Sequence, residues 1–311
     1  MSVQCNLIID SCCDLPFNVV DQEGIALLQF PYIVEEDQYL DDLYEGLSAH
    51  DFFEKMRKGA APTTAQIPIV RMNEVFEKAC LSGVPTVYLA FSSMLSGNFN
   101  TAEMIVNQMK EKYPDAELYL VDTKLASIAE ALLVSEAIKQ RDKGMSAQDL
   151  VAWVEEARYF VNSEFMVDDL TSLRRGGRIP HSVAFAGAKL DVKPLLTFDL
   201  EGNLTLTGVA RGRKKGLRLL AEYYEKHNVD GHSGRMIIVG DADCPKDITR
   251  LKENVIKEDE GAFFLETKIG PVIGSHVGPG MIAISFWGED RRNDLSVADR
   301  IARKVKNSHE E

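Results

Sequence analysis

Three hydroxyls in one short turn, Ser92, Ser93 and Ser96, are the side chains of this sequence best suited to holding a small anion. They stand in residues 86–102, TVYLAFSSMLSGNFNTA. There an apolar, β-rich run passes through the serines and Gly97 into a helical spacing of Ala102, Ile105, Val106 and Met109. The pattern predicts strand, polar turn and helix. A turn at a helix N-terminus presents free backbone N–H groups and the positive end of the helix dipole, and hydroxyls add donors. Simple capping by Ser96 or Asn98 would use the same residues.

Other stretches carry chemistry of the same kind. Thr63, Thr64 and Gln66 lie between Pro62 and Pro68, which makes a stiff polar loop. Arg174, Arg175 and Arg178 surround Gly176-Gly177, but no lysine-serine ending follows, so a phosphate-binding P-loop is not formed. His276 sits among small residues in 274–280, GSHVGPG, a stretch expected to need flexible backbone; with no bulky sequence neighbours to bury it, a site role is favoured. Ser93 or Ser96 with His276 as base would suit acyl transfer or hydrolysis. Met94, however, breaks Gly-x-Ser-x-Gly around Ser96, and no acidic partner for His276 stands out. Asp10, Asp14, Asp122 and Asp169 could gather a cation, yet strand ends and helix caps account for them; no metal and no cofactor are expected.

The elements that must position these residues alternate in the first half. Strands are expected at 5–9, 25–34, 86–91 and 116–121, helices at 48–58, 69–81, 126–141 and 146–158, and acidic loop at 35–42. Alternation implies a mostly parallel sheet flanked by helices, with Asp10-Ser11, the serine turn and Asp122-Thr123 on its carboxyl edge, where ligands of open α/β sheets bind. The second half predicts a hairpin of 193–200 and 203–210, helices at 216–227, 246–256 and 295–304, and strands at 235–241, 262–267 and 281–286. That is a mixed or antiparallel sheet with helices. Two α/β domains are expected, 1–160 and 161–311, with the ligand in the cleft between them.

With 311 residues, 45% of them hydrophobic, the chain can bury one large core or two ordinary ones. A net charge of -13 argues against nucleic acid as a partner. Residues 171–218 run against that balance, with ten basic side chains, Arg211 among them, facing only Asp191, Asp199 and Glu201. A basic island in an acidic chain suits a small anion or an acidic patch on a partner protein. The five cysteines fit neither a disulfide framework nor zinc spacing, no apolar run reaches membrane-spanning length, and no leader is evident, so a cytoplasmic protein is expected.

Together the motifs resemble the DegV family of two-domain fatty-acid-binding proteins, from about residue 8 to 287. They are Asp10-Ser11-Cys12-Cys13-Asp14-Leu15-Pro16, Thr63-Thr64-Ala65-Gln66, Ser92–Gly97, Val121-Asp122-Thr123, Asp169-Leu170 through Arg175-Gly176-Gly177-Arg178-Ile179, Lys193-Pro194-Leu195 and 269–280. The resemblance implies a long-chain fatty acid of sixteen to eighteen carbons, its carboxylate held by the hydroxyls of Thr64, Ser93 and Ser96. It further implies presentation of the acid to a separate fatty acid kinase, with Arg175, Arg211 and His276 meeting the acyl-phosphate, and it leaves room for transient membrane contact. The sequence departs from the family pattern at Cys12-Cys13, where Thr-Ala is common, and at Ala65, where Ser is common. A serine/histidine acyl hydrolase or transferase and a phosphosugar-binding module are the competing readings.

Overall fold

Short runs with no exposed face build the first sheet. In the computed structural model, which describes residues 3–179, 191–229 and 236–294, β1 is Asn6–Asp10, α1 Phe17–Val20, β2 Ile25–Leu28, β3 Pro31–Val34, β4 Asp37–Leu40, α2 Ala49–Arg57, β5 Thr63–Thr64 and α3 Ile69–Leu81. Next come β6 Thr86–Ala90, α4 Asn98–Lys112, β7 Leu118–Asp122, α5 Ser127–Asp142 and α6 Ala147–Ala157. The strands pair in parallel in the order β2-β1-β6-β7, and β6 is buried at every residue, as an interior parallel strand covered on both faces must be.

Parallel pairing sends the loops after β1, β6 and β7 to one edge, and carboxylates stitch them together. Tyr88 Oη and Phe91 N both donate to Asp10 Oδ2 at 3.0 Å, and Asp122 accepts from Ser93 N at 3.2 Å and Ser93 Oγ at 2.6 Å. Two expectations change here. The run 25–34 is not one strand, because after Leu28 the chain leaves the parallel sheet and β3 joins an antiparallel sheet of order β4-β3-β5. The acidic loop at 35–42 contains β4, whose side chains are mostly exposed, so it lacks the apolar alternation that marks a strand in sequence.

The remaining elements are β8 Val161–Met166, α7 Thr171–Arg175, β9 Val192–Phe198, β10 Leu204–Arg211, α8 Arg213–His227, β11 Met236–Asp241, α9 Pro245–Glu258, β12 Phe263–Lys268, α10 Pro271–Val277 and β13 Ile282–Trp287. Six strands form a mixed sheet, β10-β9-β8-β13-β11-β12, antiparallel except for β11 with β12. The helix expected at 295–304 lies outside the described residues.

Helix α5 is the piece between the sheets. It is buried nearly all round, from Ser127 to Ile138, and packs on β8, β11 and β13 of the second sheet as well as on the turn after β1. One apolar core therefore runs from Leu7, Ile9 and Leu89 through Leu132 to Phe165, Leu196 and Ala283, while a smaller one under α8 and α9 covers the far face of the second sheet.

The core also buries carboxyls. Burial pushes the pKa of Asp10 up to about 6 and those of Asp41 and Glu164 up to about 7, and it raises Asp14 and Glu130 as well. These groups keep a proton in the folded chain where the unfolded chain has lost it. Folding therefore binds protons between about pH 4 and about pH 7, and stability falls as pH rises through that window. Thermal unfolding is expected to give a higher midpoint at about pH 5 than at about pH 8; the reverse order would mean that these carboxyls are ionised and paired.

Candidate functional site

Three segments converge where the first sheet's carboxyl edge meets the second sheet. The first is the proline-bracketed loop. Thr64 pairs with Tyr32 across β5 and β3, Ile67 N donates to Asn98 Oδ1 at 3.2 Å, and Thr101 Oγ1 donates to Gln66 Oε1 at 3.0 Å. A Cβ on Gly97 would lie 2.6 Å from Gln66 Nε2, so glycine there lets the amide settle over the start of α4. Asn98 is buried as a bridge and does not cap. Ser96 Oγ accepts from Asn98 N at 3.2 Å, and Gly97, at the N-cap of α4, supplies no side-chain cap.

The second segment is α10, which corrects the expectation of flexible backbone over 274–280. Pro271 starts a helix that continues to Val277, and only Gly278 and Gly280, at φ +79° and +81°, need glycine's freedom. His276 in the last turn shares a 2.9 Å hydrogen bond between Nε2 and Thr64 Oγ1. Its Nδ1 is buried and meets no partner among the described residues.

The third is the arginine turn after α7. Gly176 closes the helix, Gly177 turns at φ +71°, and Arg178 folds back to donate from Nε to Leu95 O at 3.0 Å and from Nη1 to Gly176 O. A Cβ on Gly176 would fall 2.1 Å from His276 Nδ1, so the imidazole occupies the space that this glycine leaves open.

These segments close one end of a cavity of about 330 Å³. Thr64, Gln66, Ser96, Arg178 and His276 supply its polar wall, while Phe30, Phe91, Ile128, Phe165, Phe198 and Leu204, drawn from both sheets and α5, make most of the rest. Among the described residues the wall holds one cation and no carboxylate. Burial, then Arg178 and Arg175, push the pKa of His276 down to about 4, so its ring is neutral at physiological pH. Burial also lowers the pKa of Arg178, which signals a guanidinium short of water and short of a counter-ion. A half-buried guanidinium with no carboxylate beside it among the described residues favours an anion at this end.

The cavity brings together Thr64, Ser96 and His276 and leaves out Ser93, Arg175 and Arg211. Ser93 Oγ is engaged by Asp122, Arg175 is exposed with Nη2 3.4 Å from Ser275 O, and Arg211 is exposed at the end of β10 opposite Val192. Sequence reasoning placed Arg178 and Gln66 in their motifs but gave neither a role at the head group. Gly176-Gly177 held the signal, since a turn after the helix resets which arginine faces inward. Away from the cavity, His50, Glu54 and Asp243 draw ligand atoms together, but Arg57 ion-pairs with both carboxylates. No described helix is long and apolar enough to cross a membrane.

A family model described as an uncharacterised protein, DegV family, matches residues 4–289. A DegV domain-containing protein of Clostridium perfringens is 36% identical over 282 residues, covering 91% of this chain and 97% of the relative. A fatty-acid-binding DegV family protein from Thermus thermophilus superposes with a TM-score of 0.78 at 27% identity, covering 92% of this chain and all of that one. DegV of Bacillus subtilis, described as a fatty acid binding protein, gives 0.78 at 25%, covering 93% and all of that chain. By sequence over nearly its whole length and by fold, the chain belongs to the DegV family.

Proposed function

We propose that this protein binds a long-chain fatty acid in the cavity between its sheets and presents the carboxyl group to a partner kinase for acyl-phosphate formation. The observation that carries the reading is a mostly apolar cavity whose one cation among the described residues stands at one end beside Thr64, Gln66, Ser96 and His276. Thr64 and Ser96 hold the carboxylate, joined by Gln66 and Arg178, and α4 adds its N-terminal dipole. Ser93 serves indirectly, by fixing the serine turn to Asp122. A carboxylate buried in this way needs charge-assisted hydrogen bonds, and the apolar walls favour the chain by roughly 25 cal/mol for each Å² of its surface removed from water. The fatty-acid ligands of the Thermus and Bacillus relatives support the same assignment.

A sugar phosphate would find the head region but then meet phenylalanines where its hydroxyls need partners. Catalysis by this chain alone lacks support, because His276 meets Thr64 rather than a serine and has no acid on Nδ1 to orient it. Presentation is supported by the exposed Arg175 beside the polar end. With an ATP-dependent fatty acid kinase, acyl-phosphate is expected only when both proteins are present. Arg175→Glu should lower that rate at least tenfold, about 1.4 kcal/mol, with palmitate affinity unchanged. Full activity of this variant would remove Arg175 from the presenting surface.

A further inference from the structure

One hydroxyl stands on the apolar wall without an evident purpose. Ser163 and Phe165 point to the same face of β8 by strand alternation and both line the cavity, whereas Asn162 and Glu164 belong to the opposite face. Ser163 lies directly opposite Ser285 of β13, and Ser285 Oγ donates to Ser163 Oγ at 2.7 Å. Both serines are buried, Ser285 completely. The pair has two hydroxyl hydrogens and uses one between them. No acceptor for the hydrogen of Ser163 is found among the described residues, and the side of Ser163 that remains open is the cavity. Ser127, the other serine on the inner wall, differs in that its hydroxyl is already donated to Asp14.

A spare donor in a wall of phenylalanine, leucine and methionine lowers affinity for a plain hydrocarbon, because the hydroxyl gives up water and receives nothing. It becomes favourable when the ligand brings an acceptor to it. β13 follows α10, whose last turn carries His276, and Ser285 is four residues on from Met281, the residue before the strand, about 13 Å at the usual strand rise. The meeting point is therefore far from the carboxylate. Resting on the fatty-acid reading above, we infer that Ser163, backed by Ser285, selects an acyl chain carrying an oxygen function, a hydroxyl or a ketone, in its outer half. A carbon–carbon double bond offers only a weak π acceptor and gains less.

The test is competition binding of stearate, oleate and a series of hydroxystearates differing in hydroxyl position, on wild type and Ser163→Ala. One hydroxyl position in the outer half of the chain is expected to bind about tenfold more tightly than stearate in wild type, and Ser163→Ala should erase that preference while stearate binds as well or better. Ser163→Ala/Ser285→Ala removes both hydroxyls together and serves if the single variant unfolds, since it leaves no orphaned partner. Tighter binding of stearate than of every hydroxystearate in wild type, a preference for oleate alone, or an oxygen preference that survives both variants would overturn the proposal. Wild type that binds none of these acids would instead overturn the fatty-acid reading itself.

Discussion

Arg178→Ala is expected to weaken palmitate binding by about 10- to 100-fold, the equivalent of the 1.5–3 kcal/mol carried by hydrogen bonds to a charged group. Arg178 is the one cation on the described cavity wall, and no carboxylate in that wall competes for it. Its Nε is held by Leu95 O and its Nη1 by Gly176 O, so the guanidinium is already oriented when the ligand arrives. Arg178→Lys keeps the charge but loses the fork that grips two backbone carbonyls and a carboxylate at once, and should fall between alanine and wild type. Thr64→Val and Ser96→Ala each remove one neutral hydroxyl and should cost about 1 kcal/mol, roughly fivefold in Kd. Isothermal titration with palmitate ranks these variants; an Arg178→Ala protein that binds like wild type would move the head group elsewhere.

Gly176→Ala should damage the same site without removing a polar atom. The backbone of Gly176 lies at φ −75°, an ordinary helical value, so the demand for glycine there is steric alone. An added methyl would stand 2.1 Å from His276 Nδ1 and 2.9 Å from Cε1. The half-buried ring must move, which breaks the 2.9 Å contact with Thr64, and a loss of about 1–3 kcal/mol of stability is expected. Because the clash is with one side chain, Gly176→Ala/His276→Ala should recover most of that loss, giving a favourable coupling of at least about 1 kcal/mol in a double-mutant cycle. Additive losses would show that the methyl strains something other than the imidazole.

Much of the scaffold could be read from sequence because local and tertiary demands agree there. Residues 69–81 follow a proline, repeat apolar residues at helical spacing and end at a polar turn, and α3 has those limits. The parallel strands were legible as apolar runs followed by polar turns, which also predicted that Asp10, the serine turn and Asp122 would meet. The failures share a cause. The exposed side chains of β4 carry no period, and the small residues of α10 look flexible until Pro271 and the packing of Gly274 against Phe52 and Phe53 fix them as helix. The site divided in the same way. Thr64, Ser96 and His276 reach the cavity. Ser93 and Arg175 sit next to them in motif but face Asp122 and solvent, because facing depends on turn geometry that residue types do not encode.

The central claim is that the cavity holds a fatty acid, and the most direct measurement is mass spectrometry of the protein purified without added lipid, under native and then denaturing conditions. The account predicts one long-chain acid per chain, retained in the native ion, released on denaturation and reduced in Arg178→Ala. A wild-type protein that carries no such mass, and stays empty after palmitate and oleate are offered, would contradict it.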